Sequence, residues 1–168
     1  KAGVPIKLPN GEVLHPSQFI EPPTQRKLVV LSDTEDASLA EAHAHGADIL
    51  VHEATNACTS EDRARGMTNY DVERRAKAHG HSTPQMAGSF ARAIGARRLV
   101  LTHFSVRYSG SKQPHATQVM DEIAELARQR FGGDVLTARD CTRITLNPDG
   151  STELSEAPRT PEYQHLSF

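Results

Sequence analysis

Apolar positions along this chain gather into short dense runs separated by polar, turn-rich stretches. Three runs are nearly continuous: Arg26–Ser32 (RKLVVLS), Asp48–His52 (DILVH) and Arg98–Thr102 (RLVLT). Runs of this length without polar alternation read as strands buried on both faces. Two further strands are expected at Val135–Ala138 and Arg143–Leu146, and Val4–Leu8 and Glu12–Leu14 flank Pro9-Asn10-Gly11, a hairpin signal. Helices are predicted at Ala37–His45, capped by Thr34 or Asp36 and ended by Gly46, and at Asp71–His79, stopped by Gly80. Ser82-Thr83-Pro84 opens another, Gln85–Ile94, which ends at Gly95. A last helix, Pro114–Phe131, carries Val119, Ile123, Leu126 and Ala127 at helical spacing before Gly132-Gly133. Pro16–Gln25 reads as a Pro-rich connection, Asn56–Asn69 as a loop and Pro148-Asp149-Gly150 as a turn. The order β, α, β, α, α, β, α, β, β predicts an α/β fold, a mixed sheet with helices on at least one face. Residues 1–150 form the domain and 151–168 a partly extended tail. No internal repeat is visible.

At 168 residues the chain is one domain or a piece of a larger one. Apolar content of 37% without Trp supports only a thin core. A net charge of −2 is far from the basic balance of a dedicated nucleic-acid module. Any RNA contact must therefore come from a local patch or another polypeptide. Cys58 and Cys141, widely separated, fit free thiols in an intracellular, reducing compartment. No run reaches the ~18 apolar residues of a membrane span, so no membrane partner is expected, and no secretory signal pattern is present. Because the first residue is Lys1 rather than Met, the true N-terminus is expected to be missing, by processing or by design.

Each buried run stops on a group that can bind a metal or move a proton, and so delivers it to the sheet rim, where α/β folds build sites. Asp33 lies one residue past RKLVVLS. Its carboxylate can give one oxygen to each of two metal ions ~3.5–4 Å apart, or can cap the next helix. His103, after RLVLT, is either a zinc-type ligand or a half-buried structural imidazole. His52 and Glu53 end DILV; a Glu beside a His can orient an imidazole, or can pair with an Arg at the rim. His81 sits between Gly80 and Ser82 at a helix entrance, where the positive helix end makes a protonated imidazole a readier donor. It can equally be a loop residue without a role. Arg107, four residues past His103, can grip a phosphate with its fork or lie in an ordinary salt bridge. His43 and His45, at i and i+2, point in different directions and read as helix surface, as does His79. His15, His115 and His165 carry no supporting context.

In order and spacing, Ser32-Asp33-Thr34, His52-Glu53-Ala54-Thr55, Gly80-His81-Ser82-Thr83 and Leu101-Thr102-His103-Phe104-Ser105-Val106-Arg107-Tyr108 resemble the C-terminal half of the tRNase Z enzymes. These are zinc-dependent tRNA 3′-processing endonucleases of the metallo-β-lactamase superfamily. The likeness runs from Ala2 to about Leu146. It implies the C-terminal αβ half of a metallo-β-lactamase-like αββα sandwich, precursor tRNA as substrate, and a dimer of the complete enzyme. It also implies that Asp33 bridges two zinc ions and that His103 completes the second zinc site. By the same correspondence His81 is the proton donor to the leaving 3′-oxygen, Glu53 orients His81, and Arg107 contacts the scissile phosphate.

The family's HxHxDH motif, a further upstream His ligand, the water-activating Asp and the tRNA-gripping arm do not occur in this sequence. Asp33 and His103 cannot alone close a zinc site, which needs at least three protein groups. The resemblance thus implies an N-terminal half, as a separate chain or a missing segment, and an inactive chain in its absence. Such a half is expected to expose one sheet face, with Val29, Leu31, Leu50, Leu99 and Leu101, as an interface. The leading expectation is a half of a split or cleaved phosphodiesterase that removes the 3′ trailer from precursor tRNA. The alternatives are a non-catalytic structural half-domain retained in an RNA-processing or ribonucleoprotein assembly, and a metallo-hydrolase of small phosphodiesters. Intact Asp33, His81 and His103 favour catalysis over a scaffold, which has no need of them.

Overall fold

The computed structural model describes residues 4–15, 19, 25–147 and 149–156. Most of the Pro-rich connection and the tail beyond 156 lie outside them. The Asn10-Gly11 hairpin forms as expected: β1 (Ile6–Lys7) pairs antiparallel with β2 (Val13–Leu14). Gly11 turns the chain at φ 89°, a left-handed conformation that costs glycine little.

The centre of the fold is a four-stranded parallel sheet in the order β3 (Leu28–Leu31), β4 (Ile49–Glu53), β5 (Arg98–Thr102), β6 (Asp134–Thr137). Parallel neighbours need crossovers, and helices supply them. A 3-10 turn at Ser38–Ala40 leads into α1 (Glu41–Ala44) after β3. Between β4 and β5 come α2 (Ser60–Ala64), α3 (Asn69–Ala78) and α4 (Pro84–Ala93), and α5 (Pro114–Phe131) precedes β6. The last two strands, β7 (Thr142–Leu146) and β8 (Thr152–Glu156), pair antiparallel. Parallel and antiparallel pairing therefore occur in separate sheets, and β8 takes the start of the segment read as a tail.

Two boundaries differ from the sequence reading for one reason. Thr59 accepts from the Asp62 N–H while the Asp62 carboxylate accepts from the Thr59 N–H, a reciprocal cap that starts α2 inside the stretch expected to be loop. Thr68 and Asp71 repeat the device and start α3 at Asn69. Both are Thr-x-x-Asp signatures, visible in the sequence and passed over.

Strand parity decides which residues face the helices. Leu50, Leu99, Leu101 and Val135 share one sheet face, and all are buried against Ala87, Ala91 and Ile94 of the α4 region and Met120, Ile123, Ala124 and Ala127 of α5. Val29 and Leu31 pack on the same cluster. The expectation that these five formed the open face is thus corrected. The open positions are of opposite parity: Leu28 and Val30 are each 64% exposed. Further along that face the β7–β8 hairpin lies over Ile49, Val100 and Leu136, with Ile144 and Leu154 lining the same small cavity. Arg26 Nη2 donates to the Asn147 carbonyl and Arg98 Nη1 to that of Gly150, which ties the hairpin to the sheet. A covering element therefore exists where none was expected, but it leaves β3 bare. The helix layer is packed through small residues: a Cβ on Gly88 would stand 2.3 Å from the Ala127 carbonyl oxygen.

Candidate functional site

The parallel sheet delivers its C-terminal strand ends to one rim, and three loops converge there. Asp33 leaves β3, His103 leaves β5, and His81 comes from the turn between α3 and α4. One ligand atom from each of the three lies within 4.8 Å of the others. Asp33 Oδ1 is 3.4 Å from His103 Nε2, and the two imidazoles are 5.5 Å apart between ring centroids. Asp33 caps no helix: the turn at Ser38 starts from Ala37 without a side-chain cap, and the Ser38 N–H donates to Asp36 Oδ1.

His81 is held from both sides. Gly80, at φ 75°, ends α3, and the His81 N–H reaches back to the Ala76 carbonyl while that of Gly80 reaches Lys77, the hydrogen-bond pattern of a Schellman stop. Two residues on, Thr83 caps α4 through the Met86 N–H and Pro84 takes the first turn. His103 is placed by an unusual backbone: its φ of 56° is left-handed, a conformation that non-glycine residues rarely adopt and that concentrates at functional sites.

His52 and Glu53 are consecutive on β4 and so point to opposite faces. His52 goes under the helices, 1% exposed, against Phe90, and its Nδ1 donates to the Glu53 carbonyl. Burial lowers its pKa, partly offset by that hydrogen bond. Glu53 goes to the site. It is fully buried with no Arg partner among the described residues, so the expected alternative of a rim ion pair fails. A buried carboxylate must be satisfied by hydrogen bonds. Oε1 accepts the N–H groups of Thr34 at 3.1 Å and Ser82 at 2.7 Å; Oε2 accepts the N–H of Thr55 at 2.9 Å and its hydroxyl at 2.6 Å. One carboxylate thereby pins the loops that carry Asp33 and His81, together with the Thr55 loop that touches His103. Its Oε1 also lies 3.4 Å from the buried His81 Nδ1, which has no hydrogen bond of its own.

Of the two roles open to Arg107, the structure shows the ion pair. Its Nη1 and Nη2 each sit 2.8 Å from an oxygen of Asp62, Nη2 also reaches the Ala57 carbonyl, and the guanidinium stacks over Tyr108. The fork expected to grip a phosphate is already filled. Asp62, 5% exposed, was missed as a partner because it lies 45 residues away in sequence. Burial works to raise its pKa, but hydrogen bonds from Arg107 and Thr59 prevail and hold the carboxyl at about 2. Thr55, quoted within a motif but given no role, proves to touch both Glu53 and His103. His43 and His45 are exposed, as expected, and His79 donates to the Arg75 carbonyl. His115 lies 3.2 Å from Glu61.

A carboxylate and two imidazoles within reach of a common point are a donor set suited to zinc. Among the described residues no helix is long and apolar enough to cross a membrane.

No family model matches the chain. Among curated proteins, ribonuclease Z of Pseudomonas putida strain F1 is 38% identical over 150 residues, 87% of this chain and 42% of that protein. Zinc phosphodiesterase ELAC protein 1 of Bos taurus is 38% identical over 134 residues, 77% of this chain and 33% of that one. The solved structure of human tRNase Z, short form (ELAC1), is 31% identical and covers 76% of this chain and 34% of its own, with a TM-score of 0.43. Over 87% of its length the chain belongs to the ribonuclease Z family, as a segment spanning 42% of its Pseudomonas relative.

Proposed function

We propose that this chain is the C-terminal half of a zinc-dependent endoribonuclease that removes the 3′ trailer from precursor tRNA. It is active once an N-terminal half bearing HxHxDH joins it. The observation that carries this reading is the convergence of Asp33, His81 and His103 in front of the buried Glu53. The names of the sequence relatives, ribonuclease Z and zinc phosphodiesterase, supply the reaction class.

Asp33 and His103 would hold zinc, with the remaining ligands coming from the other half. Bound there, zinc would polarise the phosphodiester and lower the pKa of an attacking water. His81 is set apart from the other two by its backing. With Nδ1 turned to Glu53 Oε1, its Nε2 is the nitrogen available to carry a proton to the leaving 3′-oxygen. Glu53, held by four donors, keeps that orientation without mobility of its own. Arg107 serves by binding the loop after His103 to α2 through Asp62.

The test is cleavage of precursor tRNA by the chain combined with the N-terminal segment of its relatives, with zinc content measured alongside. His103→Ala should lower both zinc content and rate. His81→Ala should retain zinc and slow cleavage by roughly 10²–10⁴-fold, the usual loss of a general acid. Equal loss of zinc in the two variants would make His81 a third ligand and remove it as the acid.

A further inference from the structure

We propose that Thr55 is the positioning residue of His103. Its hydroxyl fixes the imidazole with hydrogen on Nδ1 and so presents an unprotonated Nε2 towards Asp33. The consequence for metal binding rests on the zinc reading above; the tautomer does not.

Thr55 Oγ1 has one proton and three neighbours: Glu53 Oε2 at 2.6 Å, His103 Nδ1 at 2.9 Å and the His103 carbonyl at 3.1 Å. A carboxylate oxygen can only accept. The 2.6 Å separation is that of a charge-assisted O–H···O⁻ bond, the strongest of the three. The hydroxyl proton therefore belongs to Glu53, and the His103 carbonyl, also an acceptor, is left without it. A lone pair of Oγ1 then faces Nδ1, which must donate. In neutral His103 the hydrogen is thus on Nδ1 and Nε2 is bare, 3.4 Å from Asp33 Oδ1. Two acceptors facing each other at that distance repel unless a cation lies between them.

The backbone supports the same geometry. Ala54 donates to the Thr102 carbonyl and Ser105 to that of Thr55, so the loops leaving β4 and β5 are locked side by side. His103 is held at its left-handed φ between those two bonds. Glu53 thereby governs both imidazoles of the site: His81 directly, and His103 through the Thr55 hydroxyl. A hydrogen bond on the outer nitrogen is how proteins fix the tautomer and aim of a ligating His.

Long-range ¹H–¹⁵N correlation spectra of the ¹⁵N-histidine-labelled chain, recorded metal-free and then titrated with Zn²⁺ in the presence of the N-terminal segment of its relatives, test this. Neutral His103 in the wild type should carry its hydrogen on Nδ1. Thr55→Val should release that preference and weaken zinc binding by roughly 10–100-fold, and Thr55→Ser should restore both. Hydrogen on Nε2 in the wild type overturns the proposal without any variant being needed. So does a folded Thr55→Val protein with unchanged tautomer and zinc affinity; if it fails to fold, Thr55→Ala takes its place in the comparison. A wild type with the Nδ1–H tautomer that takes up no zinc even when joined by the N-terminal segment of its relatives supports the Thr55 assignment and overturns the metal reading.

Discussion

Asp62 and Arg107 show what burial does to a charge the sequence leaves uncommitted. Asp62 is held at about 2 against an ordinary 3.8, so its folded pKa is depressed. The stability this pair contributes is present above about pH 4 and is lost as pH falls towards 2, because there the unfolded chain binds the extra proton first. Denaturant midpoints measured against pH should fall across that window in the wild type. Asp62→Asn should remove this contribution to the fall and start from lower stability at neutral pH. Arg107→Leu, which strands Asp62 without a cation, should cost about 3 kcal/mol, the lower end for a broken buried pair because Arg107 is half exposed. A neutral-pH stability unchanged by Arg107→Leu would mean that the pair is dispensable and the fork free for a phosphate.

At the scale of elements, the contact between α4 and α5 is made by backbones in close approach. The helical spacing of α5 suggested Val119, Ile123, Leu126 and Ala127 as its inner face. Ile123 and Ala127 are buried and Val119 and Leu126 pack half-buried on the core, while Ala116, Met120 and Ala124 complete the buried set. Small residues line the contact because Gly88 of α4 leaves room for the Ala127 carbonyl. Alanine in a helix interior normally improves stability over glycine by up to ~1 kcal/mol. Gly88→Ala should do the reverse, costing about 2 kcal/mol through overpacking, because the obstacle is backbone and cannot swing aside. Chemical unfolding checks the sign, and a stabilised Gly88→Ala would show that the two helices are not in close contact. The two Thr-x-x-Asp caps act at the same scale. They start α2 and α3, and the second sets the start of the helix whose end delivers His81.

For the whole molecule, the helix-covered sheet face is complete and the opposite face is not. The β7–β8 hairpin covers the β4–β6 part of it, while Leu28 and Val30 on β3 stay open. If that edge receives the sheet of an N-terminal half, the interface should exceed ~2,000 Å², the size of obligate contacts. Val30→Asp should then change the stability of this chain by no more than ~0.5 kcal/mol, as an exposed substitution does, while weakening assembly at least tenfold. Sedimentation of the mixed halves with and without Val30→Asp decides it. Undiminished assembly would move the partner elsewhere on the surface.

The sequence by itself determined the central strands, most of the helices and the arrival of Asp33, Glu53, His81 and His103 at one rim. Strand ends and helix stops are local, and in a parallel sheet the C-terminal strand ends share one edge. Which face of each strand meets the helices was not determined. RKLVVLS, DILVH and RLVLT are apolar at nearly every position, so no alternation marks the inner side, and the five residues assigned to the open face belong to the covered one. Only the tertiary structure decided that Arg107 answers Asp62, 45 residues away, and that Thr55 meets His103, 48 residues away. Short polar side chains gain their roles from what packing brings within 3 Å, and the distance along the chain carries no trace of it.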